Sequence, residues 1–208
     1  MESKFISTPS GKFHAQVAGV GDTVILIHGY SPQFNSWRTW QKNIDALAQQ
    51  HHVYALDLLG YGESDKPDPH PDAAFEANAL IELMQVDAPR IARAIVIGLS
   101  WGGAIAQRIA ASAPERVVKL VLVDSSSDAA SLAKLSAQKI PTLITWDEND
   151  AVIPVENAHK LARALPHAQL RIFTRTERDP DANPENRHWS QETHARVWNQ
   201  VVTEFLKE

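Results

Sequence analysis

Ala94-Ile95-Val96-Ile97-Gly98-Leu99-Ser100-Trp101-Gly102-Gly103 is the stretch on which the reading of this chain turns. Its first residues form an unbroken apolar run, as in a strand covered on both faces, and a helix-period segment reaching to residue 113 begins directly behind it. Between them lies the pattern Gly98-x-Ser100-x-Gly102. A strand that turns so sharply into a helix holds Ser100 at strained backbone angles, and small residues at 98 and 102 let strand and helix approach without clashing. The serine oxygen is thereby lifted to the C-terminal edge of the sheet.

Outward from this turn, short runs rich in Val, Ile and Leu recur at residues 23–28, 53–57, 117–124, 141–146 and 170–174 and read as further strands. Helix-period segments lie between them, at residues 36–49, 71–86, 101–113, 155–165 and 190–207. The alternation predicts an α/β fold with a doubly wound, mostly parallel sheet, and residues 13–18 as an antiparallel edge strand. Two segments, 65–71 with three prolines and the charged 175–187, read as surface loops. The 208 residues carry no composition shift that would mark a boundary, so one domain over 1–208 is expected.

Composition narrows the function classes. With 44% hydrophobic and 22% charged residues there is apolar material for a sizeable core, which excludes disordered and fibrous classes. A net charge of -5 without clustered Lys and Arg speaks against nucleic acid or an anionic membrane as a partner. The chain has no cysteine, hence no disulfide, thiol nucleophile or zinc-thiolate site. Neither a signal-peptide pattern nor a run of apolar residues long enough to span a bilayer is present, so a cytoplasmic location is expected.

A serine hydroxyl is a weak nucleophile until a base takes its proton, so an acid and a histidine should follow Ser100 in that chain order. The strand at 141–146 empties into Asp147-Glu148-Asn149-Asp150, which makes Asp150 the preferred acid, with Asp124 at the preceding strand end and Asp147 as rivals. Asp147 and Glu148 better suit a solvated turn with a helix N-cap. The base must lie between the last strand and the last helix, which leaves His188 and His194. His194 falls within a helical pattern and reads as a surface or packing residue, so His188 is preferred. Negative charge on an attacked carbonyl needs N–H donors, and the backbones of Tyr30 and Trp101 are placed to give them. His28 reads as a support for the Tyr30 loop. Gly60-Tyr61-Gly62 lacks the third glycine of a dinucleotide site, no H-E-x-x-H metal motif exists, and no cofactor or metal is implied.

Together, His28-Gly29-Tyr30, residues 57–64, Gly98 to Gly103, Pro141-Thr142-Leu143 with Glu148-Asn149-Asp150, and the tail from His188 to Glu204-Phe205-Leu206 resemble the α/β-hydrolase family almost from end to end. The resemblance favours His188 over His194. Three departures stand out: Asp147 replaces a usual Gly, residues 175–187 replace a short Gly-rich turn, and only residues 125–140 stand where relatives insert a helical lid. That last feature resembles the capless minority of the family, or a chain from which a lid was removed. A serine at position 100 disfavours the dehalogenase and epoxide hydrolase chemistries, whose enzymes use Asp there.

The resemblance implies a carboxylesterase-like hydrolase acting through Ser100, His188 and Asp150 on a small ester. Carbon–carbon bond hydrolase, lyase or perhydrolase activity with the same residues is the alternative, and a non-catalytic ligand-binding relic a further one. Phe34, Tyr61 and Trp101 are expected to line an open substrate mouth, while Trp37 belongs to the buried face of its helix. A monomer or weak homo-oligomer is expected. Without a lid, short acyl chains should be preferred.

Overall fold

Val24, Leu26, Ile95, Ile97 and Val121 point to one side of a sheet, and Ile25, Ile27, Val96, Leu120 and Leu122 to the other. Successive side chains of a strand alternate in this way, so an uninterrupted apolar strand must be covered on both faces. In the computed structural model, which describes residues 1–86 and 90–208, that is how the sheet is built. Eight strands run β1 (Glu2–Thr8), β2 (Gly11–Ala18), β3 (Asp22–Ile27), β4 (His51–Asp57), β5 (Ala94–Leu99), β6 (Val117–Val123), β7 (Thr142–Asp147) and β8 (Ala168–Phe173). Their spatial order is β1-β2-β4-β3-β5-β6-β7-β8, with β2 antiparallel to both of its neighbours, β1 and β4, and the remaining pairings parallel.

One face is covered by α1 (Ser36–Trp40), α2 (Ile44–Leu47) and α8 (Ala195–Lys207), through Trp40, Leu47, Trp198 and Phe205. The other is covered by α3 (Ala73–Val86), α4 (Trp101–Ser112), α5 (Ala129–Gln138) and α6 (Glu156–Ala164), through Leu80, Ile105, Leu135 and Leu161. A one-turn α7 (Ser190–Thr193) precedes α8. Residues 125–140 hold α5, which packs against α4 in the helical layer and covers no part of the sheet's C-terminal edge as a lid would. No helix among the described residues is long and apolar enough to cross a membrane.

Four sequence expectations are corrected. Residues 13–18 are not the edge, because β1 pairs outside them; β1 is polar, with only Ile6 buried, and so carries no apolar run to read. The helix expected over 36–49 is two short ones, broken where buried Asn43 turns its side chain to Gln191 O and Asn199 Oδ1 at 2.8 Å each. Trp37 is 44% exposed, and the buried aromatic of that helix is Trp40. The expected last helix is likewise split at His194, whose backbone lies outside the helical region.

Candidate active site

Parallel neighbours β5, β6, β7 and β8 end at one level, with Leu99 beside Val123, Val123 beside Thr145 and Asp147 beside Phe173. Ser100, Asp124, the 147–150 loop and the chain leading to His188 therefore all leave the sheet at its C-terminal edge, where open α/β sheets bind ligands.

Ser100 has φ 54° and ψ -119°, a strained conformation for a residue with a side chain. Packing leaves the turn no alternative. A Cβ on Gly98 would lie 2.3 Å from Gly102 O, and one on Gly102 2.4 Å from His28 O. The Ser100 N–H donates to Val123 O, and its carbonyl accepts from Gly103 N and Ser126 N, all at 2.9 Å. Serine is thus fixed by backbone contacts on both sides.

His188 is positioned by polar contacts instead. Its Nδ1 lies 2.8 Å from Asp150 Oδ2, while Asp150 Oδ1 accepts the N–H groups of Val152 and Ile153 at 2.8 Å. A carboxylate accepts, so Nδ1 carries the hydrogen and Nε2 keeps a free lone pair. That Nε2 is buried and makes no hydrogen bond to Ser100 Oγ or to any other group of the described residues. Ser100 and His188 nevertheless border one cleft of about 550 Å³, and catalytic hydrogen bonds of this kind commonly tighten only when substrate binds.

Of the three acids considered, Asp150 alone bonds to His188. Asp124, fully buried, spends its oxygens on the N–H groups of Asp147 (2.9 Å) and Ser190 (2.7 Å), tying the acid loop to the histidine loop. Burial outweighs these bonds and the nearby His188, and pushes the Asp124 carboxyl up to about 7. Asp147 is not in a solvated turn: it is buried, accepts from Asn149 N at 2.8 Å, and has Arg178 Nη1 3.6 Å away. His194 is a packing residue, stacked on Phe173 with Nε2 3.1 Å from Thr174 O.

Trp101 opens α4, so its N–H has no acceptor within the helix, and the helix dipole adds positive potential there. Across from it, a Cβ on Gly29 would touch Ser100 Cβ at 3.2 Å, which brings the Gly29–Tyr30 backbone against the serine. His28 holds this loop. Its Nε2 accepts from Leu58 N at 3.1 Å, so Nδ1–H donates to Gly29 O at 2.7 Å, and burial lowers its pKa to about 4, keeping it neutral. Asp57 supports the same corner by accepting from Ser36 N and Glu63 N; burial alone would raise this carboxyl, but those N–H groups hold it below its usual range.

Phe34 borders the cleft, as does the Tyr30 side chain. Tyr61 does not: it is buried, its ring edge-on to His28 at 4.9 Å. Trp101 also lies off the cleft lining, with its ring 5.6 Å from Tyr30 and 6.3 Å from Tyr61. An aromatic in a loop near the nucleophile reads the same in sequence whether it faces the mouth or supports it. Arg38, Gln41, Asn186 and Arg187, which do border the cleft, went unread. Their one signal in the sequence is the spacing of Arg38 and Gln41, three apart on α1 and the residue that caps it.

Residues 22–136 match the alpha/beta hydrolase fold family. A 2-hydroxy-6-oxononadienedioate/2-hydroxy-6-oxononatrienedioate hydrolase of Cupriavidus pinatubonensis is 24% identical, over 98% of this chain and 95% of that protein. A 2-hydroxy-6-oxo-6-phenylhexa-2,4-dienoate hydrolase of Burkholderia cepacia is 25% identical, over 94% and 91%. Among solved structures, a meta-cleavage product hydrolase from Pseudomonas fluorescens superimposes with a TM-score of 0.85 at 20% identity, covering 98% of this chain and 97% of that one. The Cupriavidus alignment runs over 285 positions, 77 more than the 208 residues here (285 less 208), so that relative carries at least this many residues without a counterpart. With the match spanning more than half its length, this chain belongs to the alpha/beta hydrolase fold family, among relatives that are hydrolases.

Proposed function

We propose that this protein is a serine hydrolase in which Ser100 attacks, His188 moves the proton and Asp150 orients the imidazole, and that it cleaves a carbon–carbon bond beside a ketone in a small conjugated oxo acid. The observation that supports the triad is the 2.8 Å contact of His188 Nδ1 with Asp150, which leaves Nε2 unbonded in the cleft that Ser100 borders. The full-length relatives, named as hydrolases of 2-hydroxy-6-oxo dienoates, favour the carbon leaving group over the ester reading.

The chemistry follows from the placement of these groups. His188 Nε2 takes the hydroxyl proton as Ser100 Oγ bonds to the ketone carbon, and the carbonyl oxygen, now negative, is met by the N–H groups of Tyr30 and Trp101. Collapse breaks the carbon–carbon bond. In the 2-oxo tautomer, formed when the 2-hydroxyl proton moves to C5, its electron pair is delocalised through the 3,4 double bond onto the 2-oxo oxygen and the carbon takes the proton from His188, while the other fragment stays as an ester on Ser100. Water, deprotonated by His188, then attacks that ester, and the regenerated serine recovers its proton. Asp150 stabilises the imidazolium formed in each half.

Hydrolysis of short carboxylic esters is the second reading, favoured by the uncovered, partly polar cleft, which gives little apolar wall for a long chain. A kinetic panel separates the two: 2-hydroxy-6-oxo-6-phenylhexa-2,4-dienoate, followed by loss of its absorbance, against p-nitrophenyl acetate, butyrate, octanoate and palmitate. The carbon–carbon reading expects the dienoate to lead in kcat/KM by about 100-fold, a difference of roughly 3 kcal/mol in transition-state binding. An order led by acetate or butyrate would replace it with the ester reading. Turnover of neither, in a protein that also fails to react with a fluorophosphonate, would remove catalysis altogether.

A further inference from the structure

A second cavity, of about 380 Å³, lies on the other side of the histidine loop and is bordered by Asp147, Asn149, Arg175, Arg178, Arg187 and His194. Its charges do not cancel. Arg178 is committed, donating to Asn183 O at 2.7 Å and Asn186 O at 2.6 Å and facing the buried carboxylate of Asp147 at 3.6 Å. Both nitrogens of His194 are engaged, Nδ1 with Thr193 Oγ1 and Nε2 with Thr174 O. Glu148, the acid next to the cavity, accepts from the backbone N–H of Arg175 and from its neighbour Asn149. That leaves the guanidinium groups of Arg175 and Arg187 with no carboxylate within 4 Å among the described residues, and that of Arg187 with one long contact, 3.4 Å to Asn149 O. In a chain of net charge -5, two uncompensated guanidinium groups around one cavity are a local reversal of sign.

We propose that this cavity binds a small oxyanion, a carboxylate or a phosphate, between Arg175 and Arg187. Planar forks of N–H donors suit such oxygens, and Arg178 screens Asp147, the carboxylate among the residues that border the cavity. The site is coupled to the catalytic loop by Arg187. This residue precedes His188, borders both cavities, and accepts the N–H of Ala151, next to Asp150, through its carbonyl at 2.8 Å. An anion held by Arg187 from the loop and by Arg175 from the exit of β8 draws the loop against the sheet and fixes His188; this coupling rests on the role proposed above for His188.

The test is calorimetric titration with inorganic phosphate and, separately, succinate, at constant ionic strength, on the intact chain and its Arg175→Gln, Arg187→Gln and Arg38→Gln variants. Arg38 borders only the substrate cleft. At least one anion should bind with a Kd below about 10 mM and lose about tenfold or more in both Arg175→Gln and Arg187→Gln, but not in Arg38→Gln. The stronger of the two anions names the source. No binding, affinity unchanged by Arg175→Gln and Arg187→Gln, or equal loss in Arg38→Gln would overturn the site. For the coupling, the rate at which a fluorophosphonate labels Ser100 should change on adding the anion to the native chain and not to Arg175→Gln; an unchanged native rate would overturn it. Should Ser100 fail to label at all, the triad falls and calorimetry still decides the anion site.

Discussion

The elbow at residues 98–103 and the loop at residues 174–190 bring two halves of one site together by opposite means. Around the elbow the constraints on Ser100 are steric or backbone: Gly98 and Gly102 have no room for a Cβ, β5 is buried throughout, and Ser100 is tied to β6 by its own N–H. Around His188 the constraints are polar side chains. Asn186 Oδ1 accepts the N–H groups of His188 and Trp189, Arg178 holds two carbonyls of the loop, and Asp124 reaches across from β6 to Ser190. A nucleophile fixed by packing has one position, whereas a base fixed by charged hydrogen bonds can respond to pH and to ions. The difference assigns rigidity to one partner and adjustability to the other.

The largest effects should come from removing either reacting group. Ser100→Ala and His188→Ala are each expected to lower kcat by about 10⁶ with circular dichroism unchanged, since loss of either member of such a unit costs about as much as loss of both. Asp150→Asn should cost about 10⁴, because it favours the wrong imidazole tautomer while leaving the rest of the site in place. His194→Ala should affect thermal stability far more than kcat, as its ring packs on Phe173 rather than bordering the cleft.

Substitutions that leave the reacting groups alone sharpen the contrast further. Gly98→Ala should lower stability by about 1–3 kcal/mol or more in thermal unfolding, since a methyl group 2.3 Å from a backbone oxygen forces strand and helix apart. Replacements in the histidine loop should cost less stability and change the pH profile instead. The same holds for the residue that ties this loop to β6, Asp124, which is the sharpest case. Burial raises its folded pKa to about 7, above the ordinary carboxylate value, so the folded protein holds a proton that the unfolded chain has lost. Stability from this group is therefore complete below about pH 4 and declines as pH rises toward 7. Asp124→Asn should flatten that part of the curve of melting temperature against pH; an equal slope in both proteins would remove Asp124 as its source.

Much of this architecture was legible before the fold. Strands β3 to β7 are legible to within about two residues because burial on both faces leaves continuous apolar runs, the half-buried edge strand β8 because Leu170, Ile172 and Phe173 stand out in it, and Ser100 because only small residues fit at 98 and 102. What escaped has physical causes. Strand β1 is an exposed edge with a single buried residue, and the breaks at Asn43 and His194 arise from tertiary hydrogen bonds that no local pattern announces. Asp147 sits where sequence suggests a solvated turn, yet the path of the histidine loop buries it under Arg178. Arg175 and Arg187 are twelve positions apart, and only the course of that loop brings them to one cavity.

The central claim is that Ser100 is activated by His188 and Asp150. It is tested most directly by incubating the protein with a fluorophosphonate and locating the adduct by mass spectrometry of the peptides. The account predicts one adduct per chain, on Ser100, forming rapidly in the native protein and all but abolished in His188→Ala. A protein that stays unlabelled, an adduct on another serine, or an undiminished rate in His188→Ala would contradict it.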